Sequence, residues 1–244
     1  MFWLLRRWRC PLVLATKPLE PLNRSLPPTL LALCALFGSS SPGPVDSPVI
    51  ALHCSTIFAK GSLCELGNPL TEQIPCSDFD VQQPILDACN VFLMVARADT
   101  ASGVAGCSVG IALRNESTLF IDWALCADDE AQSPPWPSNE GGNRVEWNRT
   151  SNCQRTEIGS DGVHAMAGFF YIYSYGNNRI AITPNIAAGD STLTVTACDY
   201  ARFDVLVPGG SIGIGNEDGF NPCRDVVGIS RSTWGRIKHM YGSQ

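Results

Sequence analysis

Beyond about residue 85 apolar and polar residues alternate with a period of two, and that periodicity limits the possible folds more than any other feature. Asn90-Val91-Phe92-Leu93-Met94-Val95-Ala96-Arg97 is an apolar run of strand length, ended by turn residues from Asp99 to Gly103. In Cys107–Leu113 the residues Cys107, Val109, Ile111 and Leu113 fall on one face, the pattern of a half-buried strand. Thr118–Leu125 and Asn143–Trp147 predict two more. The strongest signal runs from Gly162 to Tyr175 and ends in Phe169-Phe170-Tyr171-Ile172-Tyr173-Ser174-Tyr175, too aromatic and β-branched for an ordinary helix. Gly176-Asn177-Asn178 tolerate positive φ, which predicts a hairpin into Arg179–Thr183. Thr192–Cys198, Asp204–Val207 and Ser211–Gly215 complete the set. No amphipathic helical pattern of about 10–15 residues separates these segments. The expected class is therefore all-β, an antiparallel β-sandwich of about nine strands.

Four stretches of different composition divide the chain. Residues 1–41 hold Arg6, Arg7, Arg9, Lys17 and Arg24 against the single acid Glu20, while residues 42–244 hold 12 Lys/Arg against 22 Asp/Glu. The first stretch ends in the short apolar run Leu30–Phe37 followed by Gly38-Ser39-Ser40-Ser41, the layout of a signal segment with its small-residue cleavage site. The run is far shorter than the ~20 apolar residues that span a bilayer, so a secreted, extracellular protein without a transmembrane segment is expected. The alternative is a lipid anchor through Cys34, although Leu33 stands where a small residue is required. Residues 42–84 are rich in Pro, Gly, Ser and Cys and read as a cross-linked, loop-rich lead-in. Residues 85–228 form the sandwich, and 229–244 a tail in which Ser232 can cap a short helix over Thr233–Tyr241.

Nine cysteines follow residue 41 without any CxxC or paired Cys/His spacing that suggests zinc. In an exported chain they read as disulfides. Proximity pairs Cys54 with Cys64, Cys76 with Cys89 and Cys126 with Cys153. An odd count leaves at least one thiol over.

The acidic body lacks a basic stripe, which argues against nucleic acid. No GxSxG, HExxH, Walker loop or GxGxxG-then-helix is present, and His53, His164 and His239 stand at no catalytic spacing, so no enzyme is expected. Asn216-Glu217-Asp218-Gly219 and Asp128-Asp129-Glu130 offer oxygen ligands for calcium, the first with a turn glycine to hold carbonyls inward. Trp136 sits among three prolines in the long 127–142 segment. It is either preorganised for stacking on a ligand or folded back over a sheet edge. Tyr171, Tyr173 and Tyr175 share one face of a strand, as an aromatic platform or as a core rim. The expected ligand-binding residues are Trp136, Tyr171 and Tyr173; the expected calcium ligands are Asn216, Glu217 and Asp218.

Asn90-Val91-Phe92-Leu93-Met94-Val95 followed by Gly103-Val104-Ala105-Gly106-Cys107-Ser108-Val109 resembles the opening strands of cohesin-like modules. The strand Ala167–Tyr173, the stretch Pro208–Asn216 with Asn221-Pro222-Cys223, and the tail Ser232-Thr233-Trp234-Gly235-Arg236-Ile237-Lys238 resemble uncharacterised secreted bacterial proteins with that sandwich. The resemblance spans about residues 85–241 and implies a jelly-roll-like fold, but no dockerin-binding residue can be matched. The function expected is a secreted non-catalytic module binding a protein or carbohydrate. The alternatives are an envelope or matrix component and a secreted hydrolase.

Overall fold

The computed structural model describes residues 47–56, 63–65 and 67–225; the expected leader and the C-terminal helix lie outside them. Among the described residues thirteen strands form two sheets: β1 Val49–Ser55, β2 Gln82–Gln83, β3 Ala88–Ala98, β4 Gly106–Leu113, β5 Thr118–Leu125, β6 Asp129–Ser133, β7 Gly142–Glu146, β8 Thr156–Glu157, β9 Val163–Ser174, β10 Asn178–Thr183, β11 Leu193–Thr196, β12 Arg202–Val205 and β13 Ser211–Ile214. The first sheet has the order β1-β3-β9-β5, with β8 paired to β9; the second has the order β12-β11-β4-β10-β13-β2, with β7 on β4 and β6 on β7. Every pairing is antiparallel except β13 with β2. The all-β sandwich expected from the alternation is the fold observed.

Alternation explains the second sheet. Cys107, Val109 and Ile111 of β4, Leu193 and Val195 of β11 and Ile180 and Ile182 of β10 face inward against the first sheet. β3 is different, because Val91, Leu93 and Val95 enter that core while Phe92, Met94 and Ala96 enter a second one on the opposite face. A strand covered on both sides reads as an unbroken apolar run, which is why 91–96 does not alternate. The second core is closed by the segment 63–79, whose Leu63, Cys76 and Phe79 are buried on it. Val49–Leu52, only a short apolar piece in the lead-in, is part of β1 and pairs with β3 along seven residues.

Two expected connections are corrected. Gly176-Asn177-Asn178 is not a hairpin, because β9 and β10 belong to different sheets. Both edges of β9 are already occupied by β3 and β5, so the chain must arch across to the other layer. Asn178 pins the arch, donating its Nδ2 to Thr118 Oγ1 at 2.8 Å and to the Asn115 carbonyl at 3.0 Å. The 127–142 segment is not a loop throughout, since residues 129–133 form β6 against β7.

All three proximity-based disulfides are also corrected. The bonds are Cys64–Cys126, Cys76–Cys223 and Cys153–Cys198, closing separations of 62, 147 and 45 residues. In a sandwich, residues far apart in sequence meet on neighbouring strands, so nearness along the chain is a poor guide. Cys54, Cys89 and Cys107 are buried free thiols. Cys54 and Cys89 lie in the inter-sheet core on β1 and β3, and Cys54 donates to Gln83 Oε1 at 2.9 Å. The Cys54 thiol hydrogen-bonded to Cys89, followed by burial, pushes the Cys89 thiol far up, and burial alone pushes Cys107 up to about 12. Thiols held protonated in a core are inert. Non-reducing peptide mapping is expected to find these three bonds, with Cys54, Cys89 and Cys107 alkylated only after unfolding. Replacing Cys76 and Cys223 by alanine should cost roughly 4–5 kcal/mol in urea unfolding, from the length of the loop released.

His53 makes the second core pH-sensitive. Its Nδ1 accepts the Asp80 backbone N–H at 2.9 Å, which requires an unprotonated nitrogen, and its ring lies 5.3 Å from that of Phe79. Burial, opposed by the Asp80 charge, lowers its pKa from 6.5 to about 4. The unfolded chain takes up this proton near 6.5 and the folded chain only near 4. Stability from this group is thus intact above pH 6.5 and falls as the pH drops to 4, by about 3 kcal/mol. Urea midpoints measured across that window should fall in the wild type and show a markedly shallower slope in His53→Gln.

Candidate binding surfaces

At one margin of the sandwich β5 of the first sheet is joined to β6 of the second through Trp123 and Glu130, and of the three residues expected to bind ligand Trp136 alone lies there. Gly168 of β9 leaves room for the Trp123 indole, which a Cβ at that position would strike together with the Ala124 carbonyl. Trp123 then rests 4.6 Å from the Phe170 ring, and Trp136 packs edge-on to Trp123 at 5.4 Å and against Phe170 at 5.5 Å. Glu130 bonds across the two sheets, its Oε2 accepting from Trp123 Nε1 at 2.8 Å and from Asn143 Nδ2 at 2.7 Å. The loop that carries Trp136 has cis peptide bonds at Pro134–Pro135 and Trp136–Pro137. Of the two fates read from the sequence, the structure places Trp136 in the second: it is half-buried against the inter-sheet core. Trp136→Ala should therefore cost about 2–4 kcal/mol of stability, read from chemical denaturation, because it opens a void beside Trp123 and Phe170.

The acidic turns are occupied internally. Glu217 pairs with Arg114, and the backbone N–H of Asn216 bonds to Asn177 Oδ1 at 3.1 Å. Asp128 Oδ2 accepts from the Asn148 backbone at 2.6 Å and from Asn152 Nδ2 at 3.0 Å. Among the described residues no three His, Cys, Asp or Glu side chains converge at metal-binding distance, so Asn216, Glu217 and Asp218 are not brought together with further acids. His164 is fully buried, with Nε2 3.4 Å from Asp161 Oδ2. The neighbouring His164 ring leads the effects that hold the Asp161 carboxyl below the usual range. Asp161 in turn accepts the Cys76 N–H at 2.7 Å, so this pair anchors the covering segment 63–79.

The outer face of the first sheet is covered over only part of its area. Phe92, Met94, Met166 and Phe169 lie beneath the segment 63–79, whereas the stretch of β9 bearing Tyr171 and Tyr173 extends past it. Tyr173 sits between Ala88 of β3 and Leu119 of β5, and Tyr175 follows it with ring centroids 4.8 Å apart at 66°. Leu119 is 48% exposed, Ile121 54%, Tyr175 60% and Leu86 63%, where Leu86 bonds through its N–H to the Ser174 carbonyl at the end of β9. Tyrosine and aliphatic side chains thus form one open apolar–aromatic surface. Tyr171 and Tyr173 belong to it, Trp136 does not, and its aliphatic half was missed in the sequence. The signal available was Leu119 and Ile121 in β5, in opposite phase to the inward Phe120; Trp123 shares their phase in the sequence and turns inward only because the strand bulges between Phe120 and Asp122.

The outer face of the second sheet was missed entirely. Gly106 and Ser108 of β4 form its floor, with Glu146 and Arg144 of β7 on one side and Thr196 and Thr194 of β11 on the other. Arg202 and Asp204 of β12 stand beyond the threonines. The legible trace is that Gly106, Ser108 and Gly110 occupy the phase opposite to Cys107, Val109 and Ile111; which charges flank them depends on strand order.

No known protein family matches the chain, and no curated protein matches it. Solved structures do. The cohesin module of a family 33 glycoside hydrolase from Clostridium perfringens is similar at 12% identity, covering 56% of this chain and 91% of that one, with a TM-score of 0.38. The OlpA cohesin of a type I cohesin–dockerin complex from Clostridium thermocellum is similar at 11% identity, covering 69% and 99%, with a TM-score of 0.39. The OlpC cohesin of another such complex from that organism is similar at 10% identity, covering 55% and 88%, with a TM-score of 0.38. The resemblance to cohesin modules is one of fold. Three disulfides staple the described residues, in which no helix is long and apolar enough to cross a membrane.

Proposed function

We propose that this chain is an exported, non-catalytic module that holds a protein partner on the open apolar–aromatic face of its first sheet. The carrying observation is the cluster of exposed Leu86, Leu119, Ile121 and Tyr175 around Tyr173. Large apolar side chains exposed together on a soluble domain mark an interaction surface, and tyrosine flanked by aliphatic residues is the composition of a protein interface core. The 66° between the Tyr173 and Tyr175 rings favours protein over carbohydrate, since the two rings do not make a flat stacking platform. Export is supported by the basic, apolar leader, the acidic body and the three disulfides, which persist in oxidising compartments. The non-catalytic reading rests on His53, whose Nδ1 is taken up by the Asp80 N–H, and on His164, which is fully buried.

The test compares wild type with Leu119→Asp/Ile121→Asp as bait for the native extracellular fraction, with bound proteins identified by mass spectrometry. Both positions are exposed, so melting temperatures should agree within about 2–3 °C. A partner retained by the wild type and depleted roughly ten-fold or more by the double variant is the expected result. Identical recovery by both baits would retire this face. If the species lost is a second copy of the chain, seen by sedimentation of the purified protein, the surface serves self-assembly and the envelope or matrix alternative takes its place.

A further inference from the structure

The outer face of the second sheet has a different chemistry. The structure describes eight arginines and no lysine, and three of those arginines, Arg144, Arg149 and Arg202, line one cleft across β7, β4, β11 and β12. Such clustering stands out in a body with ten more acids than cations, because the remaining surface repels anions. The cleft comprises a hollow of about 40 Å³ over Gly106, Ser108, Thr194 and Thr196, and an open basin of about 390 Å³ beside Thr192 and Asp204; Arg202 lines both.

The charges around this cleft are unequally committed. Asp190 accepts from Ser108 Oγ at 2.6 Å and pairs with Arg202 at 2.9 Å, so both of those side chains are engaged and hold the floor to the rim. Asp204 accepts from Thr192 Oγ1 at 2.9 Å. Glu146 lines the hollow and lies next to Asp129 on the strand beyond it, so one wall is acidic. Among the described residues no carboxylate lies within ion-pair distance of Arg144, which is exposed beside Ser108, although its charge adds to that of Arg202 in acting on Asp190. Arg149 is more telling. Its guanidinium lies 3.9 Å above the exposed Tyr200 ring, and its Nη1 is buried without any hydrogen-bond partner. The side chain as a whole is only half-buried and lines the hollow, so the rest of its guanidinium, steadied by Tyr200, is open to a carboxylate there.

We propose that this cleft binds a carboxylated polysaccharide, the uronate carboxylates meeting Arg144 and Arg149 while ring hydroxyls meet Glu146, Asp204 and the threonines. Guanidinium and carboxylate match as a two-pronged, charge-assisted pair. The floor is Gly, Ser and Thr, and neither the hollow nor the basin is lined by an exposed large aliphatic side chain, so the surface suits a hydrated, hydroxyl-rich chain. This site is independent of the tyrosine face and stands or falls separately from it.

The test is titration of the full chain with polygalacturonate, with dextran as the neutral polysaccharide and polyglutamate as the carboxylated polypeptide, at low and at high salt. Binding to polygalacturonate that weakens with salt, and that falls roughly ten-fold in Arg144→Gln and in Arg149→Gln, is expected. Arg144 is exposed and forms no ion pair or hydrogen bond that ties strands together, so that variant keeps the fold, and Leu119→Asp/Ile121→Asp should bind the polysaccharide as the wild type does. The proposal is overturned by absent binding, by dextran or polyglutamate binding as tightly, or by an affinity that neither arginine variant changes.

Discussion

The antiparallel pairing of β3 with β9 is the constraint on which the rest of the molecule depends. These are the two longest strands, 11 and 12 residues, and each is buried along most of its length. A sheet centred on two such strands has apolar side chains on both faces, and each face must be removed from water. One face takes the second sheet, which supplies β4, β10, β11 and β13. The other takes residues 63–65 and 67–79, which contain no β-strand, only a short 3-10 turn at Cys76–Asp78, and are secured by two disulfides. The arch from β9 to β10 follows from the same pairing, because no free edge of β9 remains for a hairpin.

Disulfides here do what backbone pairing does elsewhere. Cys64–Cys126 and Cys76–Cys223 tie the covering segment to the end of β5 and to the chain beyond β13. Asn221 adds to the second tie by donating Nδ2 to the Cys76 carbonyl at 2.8 Å. Asp161 and His53 complete the fastening around Phe79, with the buried His164 ring packed edge-on to Phe79, so these two histidines are absorbed into structure. Because the cover ends short of Tyr173, the far part of the sheet remains open, and the apolar character that drives folding is displayed as a surface instead. The second sheet, polar outside by alternation, displays the opposite chemistry. One sandwich thereby carries two faces of unlike composition.

Trp136, Tyr173 and Arg149 show how far the candidate sites were legible. Trp136 in a proline-rich loop had two readings, and only the position of Phe170 on a strand of the other sheet decides that its ring turns inward. Tyr173 was found by its phase in a strand, a local property, while its neighbours Leu119 and Leu86 come from separate segments and could be assigned only through register. Arg149 carries no local signal. Its partner Tyr200 is 51 positions away, and the two meet because β7 and β11 flank the same strand.

The sequence by itself determined the class of fold, since a period of two obliges each strand to bury one face and forbids amphipathic helices between the sheets. It also determined the acidic body and its surplus of cysteines over metal-like spacing. Tertiary structure alone decided which strands pair, and therefore which cysteines bond, where the chain arches instead of turning, and which part of the first sheet stays uncovered. The physical reason is that alternation specifies which side of a strand is apolar but not what will cover it. Cover comes from residues tens of positions away, brought there by register and held there by Cys64–Cys126 and Cys76–Cys223.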